Sequence, residues 1–222
     1  MTTLTGPSRP AQSGKATSNI VFLHGYGADG NDLIGLAEPL APHLPNAAFF
    51  APNAPARCGL NPMGYQWFPI PHMDGSSQEQ AVQGMIASAQ SLNDWLDALA
   101  TDTDLGAERT VLVGFSQGTM MSLHVAPRRP EPVAAIVGFS GRLMMPGQLA
   151  AEAISKPPVL LIHGDQDEVV PHASMGEAAA ALSGAGFDVS THTSPGTAHG
   201  IAPDGLGLAL SFIRAALGED QG

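Results

Sequence analysis

The chain has 222 residues, of which 44% are hydrophobic and 13% are charged. This length and composition are typical of one globular domain with a sizeable core and differ from those of a disordered chain. The formal net charge of −11 argues against nucleic acid or an anionic membrane surface as a partner, because both are polyanions. The overall charge favours a neutral or cationic small molecule.

A single cysteine, Cys58, excludes an intramolecular disulfide and fits a reducing compartment. Residues 1–18 are polar and lack the apolar stretch of a secretory signal. We predict that they form a flexible N-terminal lead-in, with an edge element of the fold as the alternative. Because no segment approaches the length of an apolar membrane span, the protein is expected in the cytoplasm without stable membrane insertion.

Apolar runs of strand length alternate with segments of helical periodicity from residue 19 onwards. Strands are predicted over residues 19–23, 47–51, 110–113, 133–139, 158–162 and 187–192. Helices are predicted over residues 33–44 (short or kinked), 76–99, 119–126, 173–185 and 204–217. The long second helix is expected to begin at a capping box of Ser76 and Glu79. This alternation predicts a single α/β domain over residues 19–222, with a mostly parallel central sheet and helices on both faces.

Residues 52–77, called the flap below, are rich in Pro and Gly and have no clear period. Long irregular segments of this kind are uncommon in compact domains and often line binding sites. Several apolar side chains give the flap an apolar side: Tyr65, Trp67, Phe68, Ile70 and Met73. We interpret the flap as part of a substrate site, and burial in the core is the alternative for any one of its aromatic residues.

The pentapeptide Gly-Phe-Ser-Gln-Gly at residues 114–118 lies between a predicted strand and a predicted helix. This context predicts a sharp turn that exposes Ser116. Gly114 and Gly118 lack the Cβ atoms that would clash as the strand and the helix close together. The first amides of the helix would then point at whatever Ser116 attacks. An ordinary strand-to-helix turn is the alternative for the pentapeptide alone.

A second Gly-rich segment, residues 24–30, follows the first predicted strand. We interpret it as a loop that provides a backbone N–H to the same site. A plain turn and a phosphate-binding loop are the alternatives, although the Gly-Lys-Ser/Thr of a Walker loop is missing from it.

A serine, an acid and a histidine follow predicted strands in the order Ser116, Asp165 or Asp167, His199. This is the chain order of the α/β-hydrolase triad, in which the imidazole takes the serine proton and the carboxylate fixes the imidazole. Asp165 follows the strand directly and is expected to bond nearby backbone amides, so Asp167 is favoured as the acid. No spacing typical of metal ligands is present, and no metal site is predicted.

Together, residues 23–29, 114–118 and 163–171 and the Gly-flanked His199 resemble the phospholipase/carboxylesterase family of α/β-hydrolases. That family includes acyl-protein thioesterases and small bacterial carboxylesterases, and the similarity covers about residues 19–217. It implies the α/β-hydrolase fold without a large lid domain, activity without a cofactor, and a capacity to form homodimers.

The resemblance also implies roles for individual residues. Ser116, Asp167 and His199 match the catalytic triad of the family, and the backbone amides of Tyr26 and Gln117 match its oxyanion donors.

Other positions of the resemblance concern the substrate pocket. Val169 falls where relatives line an acyl pocket, and Trp67 with Phe68 resembles an aromatic pair in the flap of the family. Tyr26 stands where the thioesterases usually carry Leu, and Arg142 stands where they tend to carry an aromatic residue. Both departures alter the pocket rather than the chemistry.

We therefore expect a serine carboxylesterase that hydrolyses small to medium acyl esters through an acyl-enzyme intermediate. The nearer alternative is an acyl-protein thioesterase or a lysophospholipase that uses the same residues. The remote alternative is a non-catalytic ligand-binding module that keeps the cleft.

Overall fold

The computed structural model describes residues 4–219. Its strands are β1 (Ser8–Arg9), β2 (Ser18–Leu23), β3 (Ala47–Phe50), β4 (Ala56–Arg57), β5 (Tyr65–Gln66), β6 (Thr110–Phe115), β7 (Ala135–Phe139), β8 (Val159–Gly164) and β9 (Val189–Ser194). Its α-helices are α1 (Gly30–Ile34), α2 (Ala37–Leu40), α3 (Pro71–Asp74), α4 (Gln78–Thr103), α5 (Gln117–Val125), α6 (Pro146–Glu152), α7 (Ala173–Gly184) and α8 (Pro203–Leu217).

Seven strands form a central sheet in the spatial order β1-β3-β2-β6-β7-β8-β9. All neighbouring pairs are parallel except β1 with β3, so the predicted mostly parallel sheet is confirmed. β4 and β5 form a separate antiparallel pair within the flap.

Both faces of the sheet are covered, as the continuous apolar runs of its central strands predict. Side chains of β2 alternate between the two faces. Val21 and Leu23 pack in a core with residues of α4, α5, α6 and α7. Ile20 and Phe22 pack in a second core with residues of α1, α2 and α8. Each fully buried side chain of this size contributes about 1.5–3 kcal/mol relative to exposure. The strands that end at the site are therefore supported by packed side chains on both faces of the sheet.

Of the two expectations for residues 1–18, the described part agrees with the edge element rather than with the flexible lead-in. Leu4 is buried in the core, and β1 pairs with β3 at the edge of the sheet. Gly6 and Ala51 are in such close contact that a Cβ on Gly6 would lie 2.1 Å from the Ala51 carbonyl oxygen. Residues 1–3 lie outside the described residues, as do residues 220–222 at the end of the predicted domain.

Element boundaries differ from the predictions by a few residues. The capping box of α4 consists of Ser77 and Gln80 rather than Ser76 and Glu79, because the helix begins one residue later. The last strand is Val189–Ser194 rather than residues 187–192. The short helices α3 and α6 were not predicted, since a segment of one or two turns carries little periodicity.

No helix within residues 4–219 combines the length and the apolar character of a membrane span.

Candidate active site

Ser116 lies at a sharp turn between β6 and α5. Its backbone has φ 55° and ψ −115°, and a non-Gly residue in such a conformation costs on the order of 1–3 kcal/mol. The Ser116 N–H donates to the Phe139 carbonyl at 2.9 Å, which fixes the turn against β7. The turn that the pentapeptide predicts is present.

The two glycines of the pentapeptide are required by close contacts. A Cβ on Gly114 would lie 2.3 Å from the Thr119 nitrogen, and a Cβ on Gly118 would lie 1.7 Å from the Leu23 carbonyl oxygen. Both distances are far below van der Waals contact. Glycine at these positions allows α5 to begin directly beside β2 and β6.

His199 and Asp167 form a direct hydrogen bond, with 2.7 Å between Nδ1 and Oδ2. The other carboxylate oxygen accepts the backbone N–H groups of Val169 and Val170, each at 2.9 Å. Burial alone would raise the pKa of Asp167, but the hydrogen bonds from His199, Val170 and Val169 outweigh it and lower the pKa below its usual value. Asp167 is therefore ionised at neutral pH and holds the proton of His199 on Nδ1.

Asp165 does not contact His199. Its Oδ1 accepts the backbone N–H of Gly196 at 2.7 Å, which holds the loop that carries His199. The sequence predicts a backbone-bonding role for Asp165, and the partner is an amide 31 residues further along the chain. Of the two acids, Asp167 is the one placed to act with the histidine.

A second histidine, His163, lies against the same carboxylate. Its Nε2 is 2.9 Å from the Val170 carbonyl and 3.2 Å from Asp167 Oδ2. Since a carbonyl only accepts hydrogen bonds, Nε2 carries the proton. Burial lowers the pKa of His163, despite the hydrogen bond to Val170 and the charge of Asp167. His163 is therefore neutral and supports Asp167 as an ion. Nothing in the local sequence around His163 indicates this role.

Ser116 and His199 line one cavity of about 360 Å³. The ring of His199 packs against Phe115, with 4.8 Å between ring centroids. Within residues 4–219, no hydrogen bond joins Ser116 Oγ to His199. Catalytic hydrogen bonds of this kind are often long and tighten only in the complex with substrate.

Two backbone amides flank Ser116 at the same cavity, those of Tyr26 after β2 and Gln117 at the start of α5. Neither amide donates to an acceptor within the described residues. Free N–H groups at a helix start and in the opposite loop form the kind of pair that stabilises a developing oxyanion.

His24 supports the loop that carries Tyr26. Its Nδ1 donates to the Gly25 carbonyl at 2.8 Å, and its Nε2 accepts the Ala54 N–H at 2.9 Å. Burial lowers the pKa of His24, so the ring is neutral. Trp67 Nε1 donates to the His24 carbonyl at 2.9 Å.

Three of the four residues expected to contact substrate line the cavity, namely Phe68, Arg142 and Val169. Trp67 does not line it, and the expectation of direct contact is wrong for this residue. Its side chain is 1% exposed because the indole turns inward to bond the His24 backbone. Much of the wall is apolar and is formed by Ile70, Met73, Val82, Met85, Met120 and Met144.

The flap side of the cavity is tied to the oxyanion loop by Tyr26 and Asp74. The Tyr26 hydroxyl donates to Asp74 Oδ2 at 3.0 Å, and the same carboxylate accepts the N–H groups of Ile70 and Ser76. Burial opposes ionisation of Asp74, but hydrogen bonds from Ser76, Ile70 and Tyr26 outweigh it and lower its pKa to about 2. Burial, with hydrogen bonds to Cys58 and Asp74, raises the pKa of Tyr26 above its usual value.

Gln117 provides a second tie to the flap. Its side-chain oxygen accepts the Trp67 N–H at 3.1 Å, and its side-chain nitrogen donates to the Phe68 carbonyl at 2.8 Å. The side chain of Gln117 thus fastens the flap, while its backbone amide is one of the two free N–H groups at the cavity. No group of three His, Cys, Asp or Glu side chains within residues 4–219 is arranged to hold a metal ion.

The phospholipase/carboxylesterase family matches residues 9–217 of the chain. The chain belongs to this family. The predicted resemblance and the predicted α/β-hydrolase fold are therefore confirmed, and the chain is an enzyme of the carboxylic ester hydrolase class.

Individual relatives agree with this assignment. The crystal structure of esterase PE8 superposes with a TM-score of 0.92 and is 46% identical, covering 97% of this chain and 100% of that one. Acyl-protein thioesterase 1 of Gibberella zeae is 28% identical over 94% of both chains. Esterase YpfH of Escherichia coli is 27% identical over 94% of this chain and 84% of its own.

Proposed function

We propose that this member of the family is a serine carboxylesterase that hydrolyses small to medium acyl esters. The observation that carries the proposal is the 2.7 Å hydrogen bond between His199 and the ionised Asp167, at a cavity that the strained Ser116 also lines. A nucleophile, a base and an orienting carboxylate are the parts that acyl transfer requires.

The reaction proceeds in two halves. Ser116 Oγ attacks the ester carbonyl while His199 Nε2 accepts the hydroxyl proton, and Asp167 stabilises the imidazolium through Nδ1–H. The amides of Tyr26 and Gln117 hold the oxyanion. His199 returns the proton to the leaving alcohol, which leaves an acyl group on Ser116. A water molecule, deprotonated by His199, then attacks the acyl-enzyme, and His199 returns this proton to Ser116 Oγ as the carboxylic acid is released.

The size of the cavity supports the substrate class. At about 360 Å³, it lies near the lower end of the roughly 300–1,000 Å³ typical of ligand pockets. Phe68 and Val169 lie in its wall and would give an acyl chain apolar contact, which supports the proposal.

A second candidate is a thioesterase or lysophospholipase activity on the same residues. It is favoured by exposed apolar side chains at the rim of the cavity, Met73, Val82 and Val169. Several relatives are acyl-protein thioesterases by name. Turnover of matched oxygen esters and thioesters with one acyl chain separates the two activities.

We also propose that the enzyme acts in the cytoplasm on a small-molecule ester, without nucleic acid and without stable membrane insertion. The net charge of −11 and the buried Cys58 support this setting. The family resemblance supports a homodimer, which sedimentation at several protein concentrations would test.

The decisive experiment is hydrolysis of p-nitrophenyl esters from acetate to palmitate by the wild-type chain and by Ser116→Ala. We expect a maximum at short or medium chains and a loss of about 10⁴-fold or more in the variant. Circular dichroism checks that the variant is folded. A maximum at long chains would favour the second candidate. Residual activity within tenfold of wild type would overturn the assigned nucleophile, and failure of Ser116 to react with an organophosphate would favour a non-catalytic binding module.

A further inference from the structure

The charge of the cavity wall differs from that of the whole chain. The chain has 20 acidic residues and 9 lysines and arginines. The residues that line the cavity nevertheless include no Asp or Glu, and they do include one arginine, Arg142. The other basic side chains in the wall are His72 and His199. Among the described lining residues, Arg142 is therefore the one whose side chain has a permanent charge, while the ionised Asp167 and Asp74 lie behind the wall and are bonded to His199 and Tyr26.

Arg142 differs from most other arginines of the chain. Five arginines donate hydrogen bonds to acceptors of the protein: Arg57, Arg109, Arg128, Arg129 and Arg214. Within residues 4–219, only Arg9 and Arg142 donate to none and form no salt bridge. Arg9 lies on the exposed edge strand β1, and Arg142 is exposed at the cavity. The guanidinium of Arg142 keeps all five of its N–H donors for a ligand.

The backbone that carries Arg142 packs directly on the nucleophile turn. Arg142 follows β7, and a Cβ on the preceding Gly141 would lie 3.1 Å from the Ser116 carbonyl oxygen. The same Cβ would lie 2.4 Å from Thr119 Cβ in α5. This close packing fixes the base of the Arg142 side chain next to the serine. An ester that reacts with Ser116 occupies the cavity that Arg142 also lines.

We propose that Arg142 binds an anionic group of the substrate, so that the preferred esters carry a carboxylate in addition to the ester bond. A guanidinium and a carboxylate form paired, charge-assisted hydrogen bonds that neutral substituents cannot match. The inference rests on the proposed function, since it requires that Ser116 is the nucleophile. It also revises the substrate charge expected from composition. The exposed acidic residues lie outside the cavity wall, where solvent and salt screen them over about 8–10 Å. The ionised Asp167 and Asp74 behind the wall are each held by hydrogen bonds from neighbouring groups.

Two matched pairs of esters test the inference and separate the two places where the carboxylate can lie. Ethyl hydrogen glutarate and its amide, ethyl glutaramate, differ in charge on the acid portion. 4-Carboxyphenyl butyrate and 4-carbamoylphenyl butyrate differ in charge on the alcohol portion. Hydrolysis of all four is followed in a pH-stat with the wild-type chain, Arg142→Gln and the matched control Arg9→Gln.

We expect kcat/KM to be about tenfold higher for the carboxylate than for the amide in at least one pair, equivalent to about 1.4 kcal/mol. This ratio should fall to about one in Arg142→Gln, remain unchanged in Arg9→Gln, and decrease as NaCl is raised to about 1 M. Arg142→Lys keeps the positive charge but loses the paired N–H donors of the planar guanidinium, so a carboxylate-to-amide ratio between those of wild type and Arg142→Gln is expected. The pair that shows the preference identifies the portion of the ester that carries the carboxylate.

A wild-type ratio of one or less in both pairs would overturn the inference, as would an equal change in Arg142→Gln and Arg9→Gln. In either case the proposed function stands if Ser116→Ala abolishes hydrolysis of the esters. Wild-type rates in Ser116→Ala would remove both proposals.

Discussion

The two sides of the cavity are held in place by different forces. On the nucleophile side, the turn at Ser116 is fixed by backbone geometry, with contacts that exclude any Cβ at Gly114 and Gly118. On the flap side, side-chain hydrogen bonds from Gln117 and Tyr26 fasten the wall. A glycine that is required by close contacts tolerates no larger residue, whereas a side-chain hydrogen bond can be removed with a modest loss of stability.

The two sides of the cavity also place different demands on positional accuracy. The reacting groups must keep their positions within fractions of an ångström, because acyl transfer depends on their alignment. The wall only has to bind the rest of the substrate, and a wall that is tied by a few hydrogen bonds can be altered without changing the chemistry. We therefore expect substitutions on the nucleophile side to abolish activity or folding, and substitutions on the flap side to change affinity.

The largest effect within the nucleophile side is expected from Asp167→Asn, with Asp165→Asn as the control. An amide cannot hold the correct tautomer of His199, and loss of this function typically lowers kcat by about 10⁴-fold. Asp165 bonds only the Gly196 amide, so its variant should lose less than tenfold. Steady-state kinetics of both folded variants measures the contrast. Equal losses would mean that Asp165 shares the acid role.

The next effect concerns stability rather than rate. Gly118→Ala places a Cβ 1.7 Å from the Leu23 carbonyl oxygen, and the resulting overpacking should lower the free energy of unfolding by about 3 kcal/mol or more. The control is Gly176→Ala, also within a helix, where a Cβ would meet no atom within 4 Å. It should stabilise the protein by about 0.5–1 kcal/mol. Urea unfolding of the two variants compares them, and similar midpoints would contradict the steric account.

The same difference explains which features the sequence predicts. The strands and the turn at Ser116 follow from local apolar runs and from glycines at fixed spacing, and they are present in the structure. The choice of Asp167 over Asp165 also rests on local turn chemistry, and its contact with His199 agrees.

The contacts that hold the flap side could not be predicted from the sequence, for a physical reason. Its ties join residues far apart in the chain, such as Tyr26 with Asp74 and Trp67 with His24. Nothing in the local pattern of residues 52–77 distinguishes a buried indole from one that faces substrate. Trp67 was therefore expected at the cavity, although it supports the loop beneath it. The same limit applies to His163, whose contact with Asp167 depends on how the turn after β8 folds back.

The smallest effect is expected from Tyr26→Phe, which removes the tie to Asp74 and leaves the backbone amide of residue 26 in place. A hydrogen bond of this kind contributes about 0.5–1.5 kcal/mol, so KM should rise about 2- to 10-fold while kcat changes less than twofold. The matched control is Tyr65→Phe, the same change at the other tyrosine of the chain, whose hydroxyl forms no hydrogen bond within residues 4–219. A fall in kcat at constant KM would show that the hydroxyl positions the oxyanion loop rather than the wall.

The pKa of Asp74 predicts how this tie depends on pH. Because the folded pKa is about 2 and the ordinary value is 3.8, the ionised carboxylate stabilises the folded state above about pH 4. This contribution is lost as the pH falls towards 2, where the folded carboxyl also takes up a proton. The difference in unfolding free energy between wild type and Asp74→Asn should therefore be constant from pH 5 to 8 and shrink below pH 4. A difference that persists at pH 2 would mean that Asp74 acts through packing rather than charge. If Asp74 acts through packing, Asp74→Ala should raise KM as much as Tyr26→Phe does. Asp74→Asn, which keeps the size of the side chain, should leave KM unchanged.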